Sequence, residues 1–364
     1  MIKVFHICPD FFYTKLYGLL ISHLSDTQQN IVYVPSSEIA NKTSCDVTFL
    51  GRDFGLLDRL FFFRKQFVLK KDIVNRGLCS DCNIIHAHCL FSAGYTARKL
   101  SREYGIPYVV AVRNTDVNVF FRYMLHLRTV GVEILHDAAA VIFISPSYKK
   151  QVFENYIPDK YRKLIEEKSY VIPNGIDSLF LENGPDEKSM PLNRHLKLIY
   201  VGEVNTNKNL LTTLKACELL EAQGVLSTIK VVGPITDSQY ESVKDNRFVE
   251  YYPLCPKEEV LKYLRSSDIF VMPSLKETFG LVYVEALSQG VPIIYSEGQG
   301  IDGYFEEGYV GYHVNSKSSE QICNAVLQII SDYKSISERC VKAANQFSWD
   351  RISGIYKDIY KKIM

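Results

Sequence analysis

The sequence predicts an α/β protein made of two doubly wound domains, each a parallel sheet with helices on both faces. Short apolar runs alternate with longer segments whose apolar residues recur at helical spacing, a pattern typical of strands joined by crossover helices. The alternation pauses at a loop-rich break near the middle of the chain and then begins again. A chain of 364 residues is long enough for two such domains, and we expect them to face each other across a cleft.

The first half of the chain predicts six strands with helices between most of them. Because the apolar runs are nearly continuous, they favour strands buried on both faces of a parallel sheet. The predicted strands are Ile2–Cys8, Asn30–Pro35, Val47–Leu50, Ile84–His88, Pro107–Val112 and Ala139–Ile144. The predicted helices are Leu16–Leu24, Leu56–Val74, Ala93–Tyr104 and Phe120–His136.

The break between the halves has turn-forming composition, with Asn174-Gly175 followed by a Gly- and Pro-containing stretch from Asn183 to Pro191. Beyond it, the predicted strands are Leu198–Val201, Thr228–Val232, Phe248–Tyr251, Ile269–Met272 and Val291–Tyr295. The predicted helices are Leu211–Leu220, Val260–Leu264, a segment from Leu281 to Gly290, Glu320–Ile330 and Arg351–Ile363. We therefore expect one domain over residues 1–170 and a second over residues 171–350.

Composition excludes several classes of protein. Apolar residues make up 47% and charged residues 23% of the chain, as in soluble globular proteins. No run approaches the ~20 apolar residues of a membrane-spanning helix, and the first residues lack signal-peptide architecture. Nine cysteines include one C-x-x-C, Cys79 and Cys82, without a second pair for zinc, so we expect a reduced, cytoplasmic chain.

Charge is balanced overall but unevenly distributed. The net charge is +1, and we expect no nucleic-acid partner. Residues 1–170 hold 22 Lys and Arg against 16 Asp and Glu, whereas the remainder holds 20 against 25. The first half is therefore the one expected to meet an anionic surface.

The stretch Asp268–Gly290 predicts a binding site at a strand-loop-helix joint. Free backbone N–H groups at the start of the helix attract anions. Glu277, in the loop, and Glu285, eight residues later on the helix, would repel a phosphate and are better suited to accept hydrogen bonds from hydroxyls. Phosphate and hydroxyl recognition together indicate a sugar nucleotide. Solvated glutamates at an ordinary turn remain the alternative.

Two glycine-containing loops follow other strands of the second half. The loop Gly202–Asn209 contains Lys208, which can meet a diphosphate as a point charge, although it lacks the rest of a P-loop. A solvated lysine is the alternative. Gly298–Gly303 matches the dinucleotide fingerprint G-x-G-x-x-G. Because Gly308 and Gly311 interrupt where a crossover helix should begin, we interpret this match as fortuitous.

In the first half, polar residues follow two predicted strands. His86 and His88 alternate along a strand, so we expect them on opposite faces and predict no shared metal. Arg113 and Asp116 follow the next strand and either bind substrate or pair with each other.

The segment Arg59–Lys71 is basic, aromatic and free of acidic residues. On a helix, this composition is typical of an anchor at the surface of an anionic membrane. An ordinary amphipathic packing helix is the alternative.

With these residues in place, the chain resembles the retaining glycosyltransferases of family 4, which have the two-domain GT-B fold, over nearly its full length. Val171–Asp177 resembles the segment between the two domains of that family, and Gly202–Asn209 resembles its phosphate-binding loop. Pro273–Leu281, continuing to Glu285, resembles its signature of two glutamates eight residues apart. Ser348-Trp349 and the last helix resemble the tail that crosses back onto the first domain, so we expect residues 351–364 to pack there.

The resemblance implies an acceptor-binding first domain and a second domain that binds a nucleotide sugar. It implies catalytic roles for Glu277, on the donor sugar, and Lys208, on the diphosphate, and places Glu285 on the ribose. The implied donor-binding residues are Gly202, Asn205, Thr278, Phe279, Gly280, Leu281 and Glu285. We place His88 and Asp116 on the acceptor side, and Arg113 among the catalytic groups. No metal or other cofactor is expected.

The chain departs from the family pattern at the phosphate loop. Glu203 stands where the family usually has arginine, and Arg113 is the candidate to supply the missing charge. The loop after the first strand, Asp10–Gly18, is bulky where many members are glycine-rich, and Arg113 stands where many members have histidine.

The expected function is transfer of a hexose from a UDP- or GDP-sugar, with retention, to a saccharide or lipid-linked saccharide in surface polysaccharide assembly. We expect the enzyme to be cytoplasmic and peripheral to the inner face of the membrane. The alternatives are an NAD-dependent oxidoreductase that uses Gly298–Gly303 and an inert GT-B subunit that binds a partner transferase.

Overall fold

The protein is described by a computed structural model that covers residues 1–35, 47–50, 61–185 and 195–364. Arg59 and Leu60, the start of the predicted helix at Leu56, and part of the predicted break after Pro185 lie outside these residues. The chain forms two compact units. The first comprises Met1–Ile144, Tyr148–Gly175 and Trp349–Met364; the second comprises Ser145–Ser147 and Ile176–Ser348. The chain thus changes unit at Gly175, a few residues after the predicted limit at residue 170.

The first unit contains a seven-stranded, fully parallel sheet of order β3-β2-β1-β4-β5-β6-β7. Its strands are β1 (Ile2–Ile7), β2 (Gln28–Val34), β3 (Val47–Leu50), β4 (Ile84–Ala87), β5 (Tyr108–Val112), β6 (Ala140–Phe143) and β7 (Ser169–Val171). The chain runs outward from β1 to β3 and then returns to β4 beside β1. Ligands bind at such a switch point in open sheets.

Helices of the first half cover this sheet. They are α1 (Lys15–Leu24), α2 (Phe62–Asn75), α3 (Tyr95–Tyr104), α4 (Arg128–Asp137), α5 (Pro146–Asn155) and α6 (Asp159–Glu167). The single helix predicted over Phe120–His136 is wrong. A π-helical turn at Asp116–Phe121 and a 3₁₀ turn at Leu125–Leu127 precede α4, because Met124 leaves the helical region with φ −99° and ψ 70°.

The second unit contains a six-stranded parallel sheet of order β10-β9-β8-β11-β12-β13. Its strands are β8 (His195–Val201), β9 (Leu226–Val232), β10 (Val249–Tyr252), β11 (Ile269–Val271), β12 (Ile293–Ser296) and β13 (Gly311–Val314). Its helices are α7 (Ser178–Glu182), α8 (Leu210–Ala222), α9 (Lys257–Arg265), α10 (Leu281–Ser288), α11 (Ser319–Ser331) and α12 (Tyr333–Ala344). The switch point lies between β8 and β11, which carry the two predicted site loops. Two doubly wound α/β units confirm the predicted fold class.

The last helix, α13 (Trp349–Ile363), belongs to the first unit. Its buried residues recur at helical spacing and complete an apolar core with the first sheet: Trp349, Ile352, Tyr356, Ile359 and Tyr360. Trp349, the single tryptophan of the chain, lies against Gly175, where a Cβ atom would come within 2.5 Å of the indole ring. Only glycine fits beneath this ring.

None of the helices in the described parts of the chain has the length and apolar character needed to cross a membrane.

Candidate functional site

The loop after β8 presents Lys208 at the start of α8. The Oδ1 atom of Asn205 accepts a hydrogen bond from the Lys208 N–H at 3.0 Å, which fixes the turn. Asn209 adopts a left-handed conformation, φ 58°, which asparagine tolerates better than most residues. Its side-chain NH₂ donates to the carbonyl oxygens of Pro273 and Ser316. The loop is thus attached to two other loops at the same edge of the sheet.

Asn207 joins this loop to the one after β11. Its carbonyl oxygen accepts from the Leu275 N–H at 2.7 Å. Its side-chain amide accepts from the Lys276 N–H at 3.1 Å and donates to the Lys276 carbonyl at 3.0 Å. Two loops that are about 70 residues apart in sequence are therefore held together at the switch point.

Lys208 and Glu277 form an ion pair between Nζ and Oε2. Both side chains are largely buried, with 23% and 12% of their surfaces exposed. The sequence placed both residues in one site, and the structure brings them into direct contact.

The glycine loop Gly298–Gly303 follows β12 and leads through turns to β13, with no helix after it. It therefore lacks the geometry of a dinucleotide fingerprint. Instead it supports Glu277. The Glu277 N–H donates to Gln299 Oε1 at 3.1 Å, and the Gly300 N–H donates to the Glu277 carbonyl at 2.9 Å. A Cβ atom at Gly300 would lie 2.9 Å from Glu277 Cγ. The sequence did not reveal the role of Gln299.

The start of α10 contains the remaining donor-side residues of the prediction. Gly280 caps the helix with φ 79°, a conformation that favours glycine. The ring of Phe279 is buried against Tyr304 and Phe347, so only its backbone is available at the helix start. The Thr278 N–H donates to Glu277 Oε1 at 3.1 Å.

Glu285 lies one helical turn further along α10. Burial raises the pKa of its carboxyl group to about 7, with a smaller lowering contribution from Lys257 and a raising one from Asp177. Lys257 and Asp177 are themselves paired at 3.0 Å. Glu285 is therefore close to half-ionised near neutral pH.

Glu203, which stands where the family usually has arginine, is exposed. Its Oε2 atom accepts from the Asn205 side-chain amide at 3.2 Å. The acidic side chain thus contributes to the conformation of the Lys208 loop.

The first unit corrects the prediction for the two histidines. They do not lie on opposite faces, because β4 ends at Ala87 and the alternation of a strand does not extend to His88. The rings of His86 and His88 stack with centroids 4.0 Å apart, and His6 Nδ1 lies 3.0 Å from His88 Nε2. All three side chains are fully buried. His88 therefore does not present its side chain to an acceptor.

Within the described part of the chain, His6, His86 and His88 form the one group whose ligand nitrogens come within 4.8 Å of one another. Burial lowers the pKa of each, so the imidazoles are neutral and able to ligate a metal. The positive charge of Arg113 also lowers the pKa of His86 and His88. The same charge opposes a divalent cation at this position.

Asp116 is also corrected. Its carboxylate is buried and accepts hydrogen bonds from the N–H groups of Leu90 and Phe91, both at 3.0 Å, and of Arg113 at 2.8 Å. Burial raises the pKa of Asp116 to about 6, and these N–H groups partly offset the rise. Asp116 therefore fixes the loops after β4 and β5 instead of facing an acceptor.

Arg113 follows β5, and its side chain reaches the loop after β4 and helix α1, which follows β1. Its Nε donates to the His88 carbonyl at 3.3 Å, and its Nη1 contacts Asn174 Oδ1 at 3.4 Å. The guanidinium carbon lies 5.6 Å from the centre of the Tyr17 ring. Of the two alternatives, pairing with Asp116 is made by the Arg113 backbone N–H and not by an ion pair of the side chains.

Family models match both halves of the chain. Residues 31–178 match the model described as Glycosyltransferase Family 4, and residues 186–347 match the model described as Glycosyl transferases group 1. Together the two models cover most of the sequence.

Individual proteins show the same similarity. The chain is 26% identical, over 70% of its length, to TuaC of Bacillus subtilis (strain 168), a glycosyltransferase whose name assigns it provisionally to teichuronic acid biosynthesis; the match spans 63% of TuaC. Among solved structures, Anabaena Alr3699/HepE in complex with UDP superposes with a TM-score of 0.74 at 16% identity, covering all of both chains. Sucrose-phosphate synthase from Thermosynechococcus elongatus gives 0.72 at 16% identity, covering 100% of this chain and 99% of that one.

The two family models and the superposed folds lead to one conclusion: the chain belongs to glycosyltransferase family 4 and is a glycosyltransferase with the GT-B fold.

Proposed function

We propose that the protein transfers a sugar from a nucleoside-diphosphate sugar to a saccharide acceptor with retention of anomeric configuration. The observation that carries this proposal is the Lys208–Glu277 pair, held at the switch point of the second sheet beside the start of α10. This arrangement offers a cation and free N–H groups for phosphates next to a carboxylate for hydroxyls. HepE, whose fold this chain shares, has been solved in complex with UDP.

In this proposal, donor binding opens the Lys208–Glu277 pair. The diphosphate brings negative charge that competes with Glu277 for Lys208. The released Glu277 carboxylate then accepts hydrogen bonds from hydroxyl groups of the donor sugar. Lys208 neutralises the diphosphate as the glycosidic bond breaks, together with the N–H groups of Phe279, Gly280 and Leu281.

Glu285 is the proposed ribose-binding residue. Its ionised carboxylate can accept hydrogen bonds from two neighbouring hydroxyls. Gly202 and Asn205 contribute backbone and amide contacts on the phosphate side. Arg113, in the first unit, is our candidate for the second basic group, and His88 and Asp116 act as positioning residues that hold it.

The same residues support transfer without a divalent metal, because a lysine and helix N–H groups can stabilise the leaving diphosphate. Retention is proposed to follow because the acceptor attacks the anomeric carbon on the same face from which the diphosphate departs, through an oxocarbenium-like state.

The proposed acceptor is a saccharide, free or lipid-linked, in surface polysaccharide assembly at the cytoplasmic side of a membrane. The similarity to TuaC supports this acceptor class, as does the excess of basic residues in the first half of the chain.

A panel of nucleotide sugars tests the proposal. The purified chain is incubated with UDP- and GDP-linked hexoses, and hydrolysis and the thermal shift caused by each nucleotide are measured. We expect one sugar nucleotide to stabilise the protein and to be slowly hydrolysed, with NADH producing no shift. Stabilisation by NADH but by no sugar nucleotide would contradict the proposal.

A further assay addresses the alternative of an inert subunit. We expect the chain alone, without a partner, to transfer sugar to a saccharide acceptor. NMR of the product should show that the new glycosidic bond has the same anomeric configuration as the donor. Inversion in the product would exclude the retaining mechanism. Activity that appeared only after addition of a second transferase would favour the inert subunit.

A further inference from the structure

We propose that the first unit docks onto an anionic lipid surface through a patch formed by two separate elements, the exposed side of α2 and the segment Val119–Leu125. We call this the aromatic-basic patch. Its apolar members are six of the large exposed hydrophobic side chains of the described chain: Phe61, Phe63, Phe67, Val119, Tyr123 and Leu125.

The exposure of the phenylalanines is not a consequence of a loosely placed helix. α2 buries Gln66, Leu69 and Ile73 on its other side. Gln66 donates to the carbonyl oxygens of Phe91 and Ser92, both at 3.3 Å, and its own side-chain oxygen accepts from Thr96 at 2.6 Å. With one side fixed in this way, Phe63 and Phe67 remain 52% and 66% exposed. The alternatives of a packing helix and a surface anchor therefore apply to opposite sides of the same helix.

Aromatic contacts place the second element beside α2. The ring of Phe62 lies 6.3 Å from that of Phe120, and Phe120 stacks on Phe91 at 4.7 Å. Phe62 and Phe120 thus form a joint between the two elements. Their sequence neighbours, Phe63 and Val119, are exposed next to this joint. Tyr123, one turn further along, is 65% exposed.

The basic residues of the patch indicate that its partner is anionic. Residues 61–71 and 117–132 contain no aspartate or glutamate, but they contain seven basic residues: Arg64, Lys65, Lys70, Lys71, Arg122, Arg128 and the histidine His126. Lys70 is paired with Glu103, so the other six residues supply the basic character of the patch. The acids that adjoin these ranges are engaged elsewhere: Asp116 is buried and accepts from backbone N–H groups, Asp72 pairs with Arg76, and Glu133 pairs with Arg98. Phenylalanine and tyrosine among basic residues favour the boundary between headgroups and acyl chains of an anionic bilayer. A second copy of the chain would bring like charges together.

This docking surface goes beyond the proposed transfer reaction, and vesicle binding can be measured without donor or acceptor. The full chain is sedimented with vesicles of phosphatidylcholine alone and of phosphatidylcholine mixed with phosphatidylglycerol. We expect pelleting only with the anionic vesicles, and release at high salt, because surface electrostatics are screened.

Two variants test the two elements separately. Phe63→Ser with Phe67→Ser, and Tyr123→Ser with Leu125→Ser, should each lower vesicle affinity about tenfold or more, since each removes two apolar anchors. Leu254→Ser, which replaces a side chain that is 77% exposed in the second unit, is the matched control and should bind as the parent does. Circular-dichroism melts establish that each variant is folded.

Three results would overturn the proposal: pelleting with neutral vesicles to the same extent, unchanged affinity in both double variants, or failure of the parent to bind anionic vesicles at low salt. If the parent were dimeric and Phe67→Ser made it monomeric without lipid binding, the patch would be an interface between copies instead.

Discussion

At the residue scale, the site depends on a few side chains whose neighbours determine their state. Lys208 and Glu277 neutralise each other, and Gln299 and Gly300 form hydrogen bonds with the backbone of Glu277. Burial raises the pKa of Glu285 to about 7. Glu277 and Lys208 could be singled out as candidates because both lie in loops that follow predicted strands, but their roles followed only from the family resemblance. Gln299 could not be predicted, because its contact is with a backbone N–H more than 20 residues away and leaves no spacing pattern.

Replacement of either member of the pair should impair transfer severely. Lys208→Ala removes charge stabilisation of the leaving diphosphate, and Glu277→Ala removes a sugar contact, so we expect kcat to fall about 10²–10³-fold in each. Because each change also leaves the other charge partly buried without its partner, the double variant should be more stable than the sum of the two single effects predicts. Near-normal turnover in either single variant would contradict the assignment.

Gly300→Ala should distort Glu277 through direct contact. The new methyl group would meet Glu277 Cγ and the Phe279 carbonyl, both at 2.9 Å, at a φ of 55° that already disfavours alanine. We expect a substantial loss of kcat in transfer assays and a loss of stability of about 1–3 kcal/mol in denaturation experiments.

Gly298→Ala is the matched control for that variant. Gly298 has a similar φ, 69°, but a Cβ atom there has nothing within 4 Å. It should show the backbone strain without the effect on kcat. Equal loss of kcat in both variants would mean that Gly300 does not act through Glu277.

Nucleotide binding should depend on pH through Glu285. Its folded-state pKa of about 7 lies above the ordinary value of 4.5, so the carboxyl is protonated below neutral pH and ionised above it. Only the ionised form accepts hydrogen bonds from both ribose hydroxyls, so UDP or GDP affinity, measured by calorimetry, should rise as pH increases through about 7. Glu285→Gln should flatten this profile. The opposite sign holds for folding: because the pKa of Glu285 is raised, its contribution to stability decreases as pH rises from about 4.5 towards 7, and Glu285→Gln should remove that contribution.

At the element scale, the site is a set of loops held by asparagines. Asn205, Asn207 and Asn209 bond to backbone groups within the loop and in the loops after β11 and β13. The sequence predicted most strands because their apolar runs are unbroken. It missed β13, whose residues Gly311–Val314 follow a glycine-rich turn, and β7, which is only three residues long. The sequence-based prediction merged α4 with the two preceding turns, because aromatic residues continue the helical spacing past Met124, where the backbone leaves the helical conformation.

Asn209 should be more tolerant of glycine than of alanine. Both replacements lose the bonds to Pro273 and Ser316, but alanine also has to adopt φ 58°. We expect Asn209→Ala to be about 1 kcal/mol less stable than Asn209→Gly in urea denaturation followed by circular dichroism. The opposite order would indicate that the left-handed conformation is not retained.

At the scale of the whole molecule, the first unit is completed by the far end of the chain. α13 contributes five buried side chains to the core of the first sheet, and Tyr360 Oη lies 2.6 Å from His86 Nδ1. The location of this helix followed only from the family resemblance, because amphipathic spacing indicates a buried face but not the surface that it covers.

Tyr360→Phe should weaken this attachment. The change removes the hydroxyl that bonds to the buried His86 ring, and we expect a loss of about 1–2 kcal/mol in unfolding free energy. Tyr13→Phe, at a side chain that is 79% exposed, is the control and should leave stability unchanged in the same thermal melts.

The position of Trp349 gives the protein an internal optical reporter. It is the single indole of the chain, is 6% exposed, and belongs to the first unit. Fluorescence excited selectively at tryptophan therefore follows the surroundings of this one residue of the first unit, while tyrosine emission and circular dichroism follow both units. Comparison of these signals during unfolding shows whether the two units lose structure together or in succession, without any label attached to the chain.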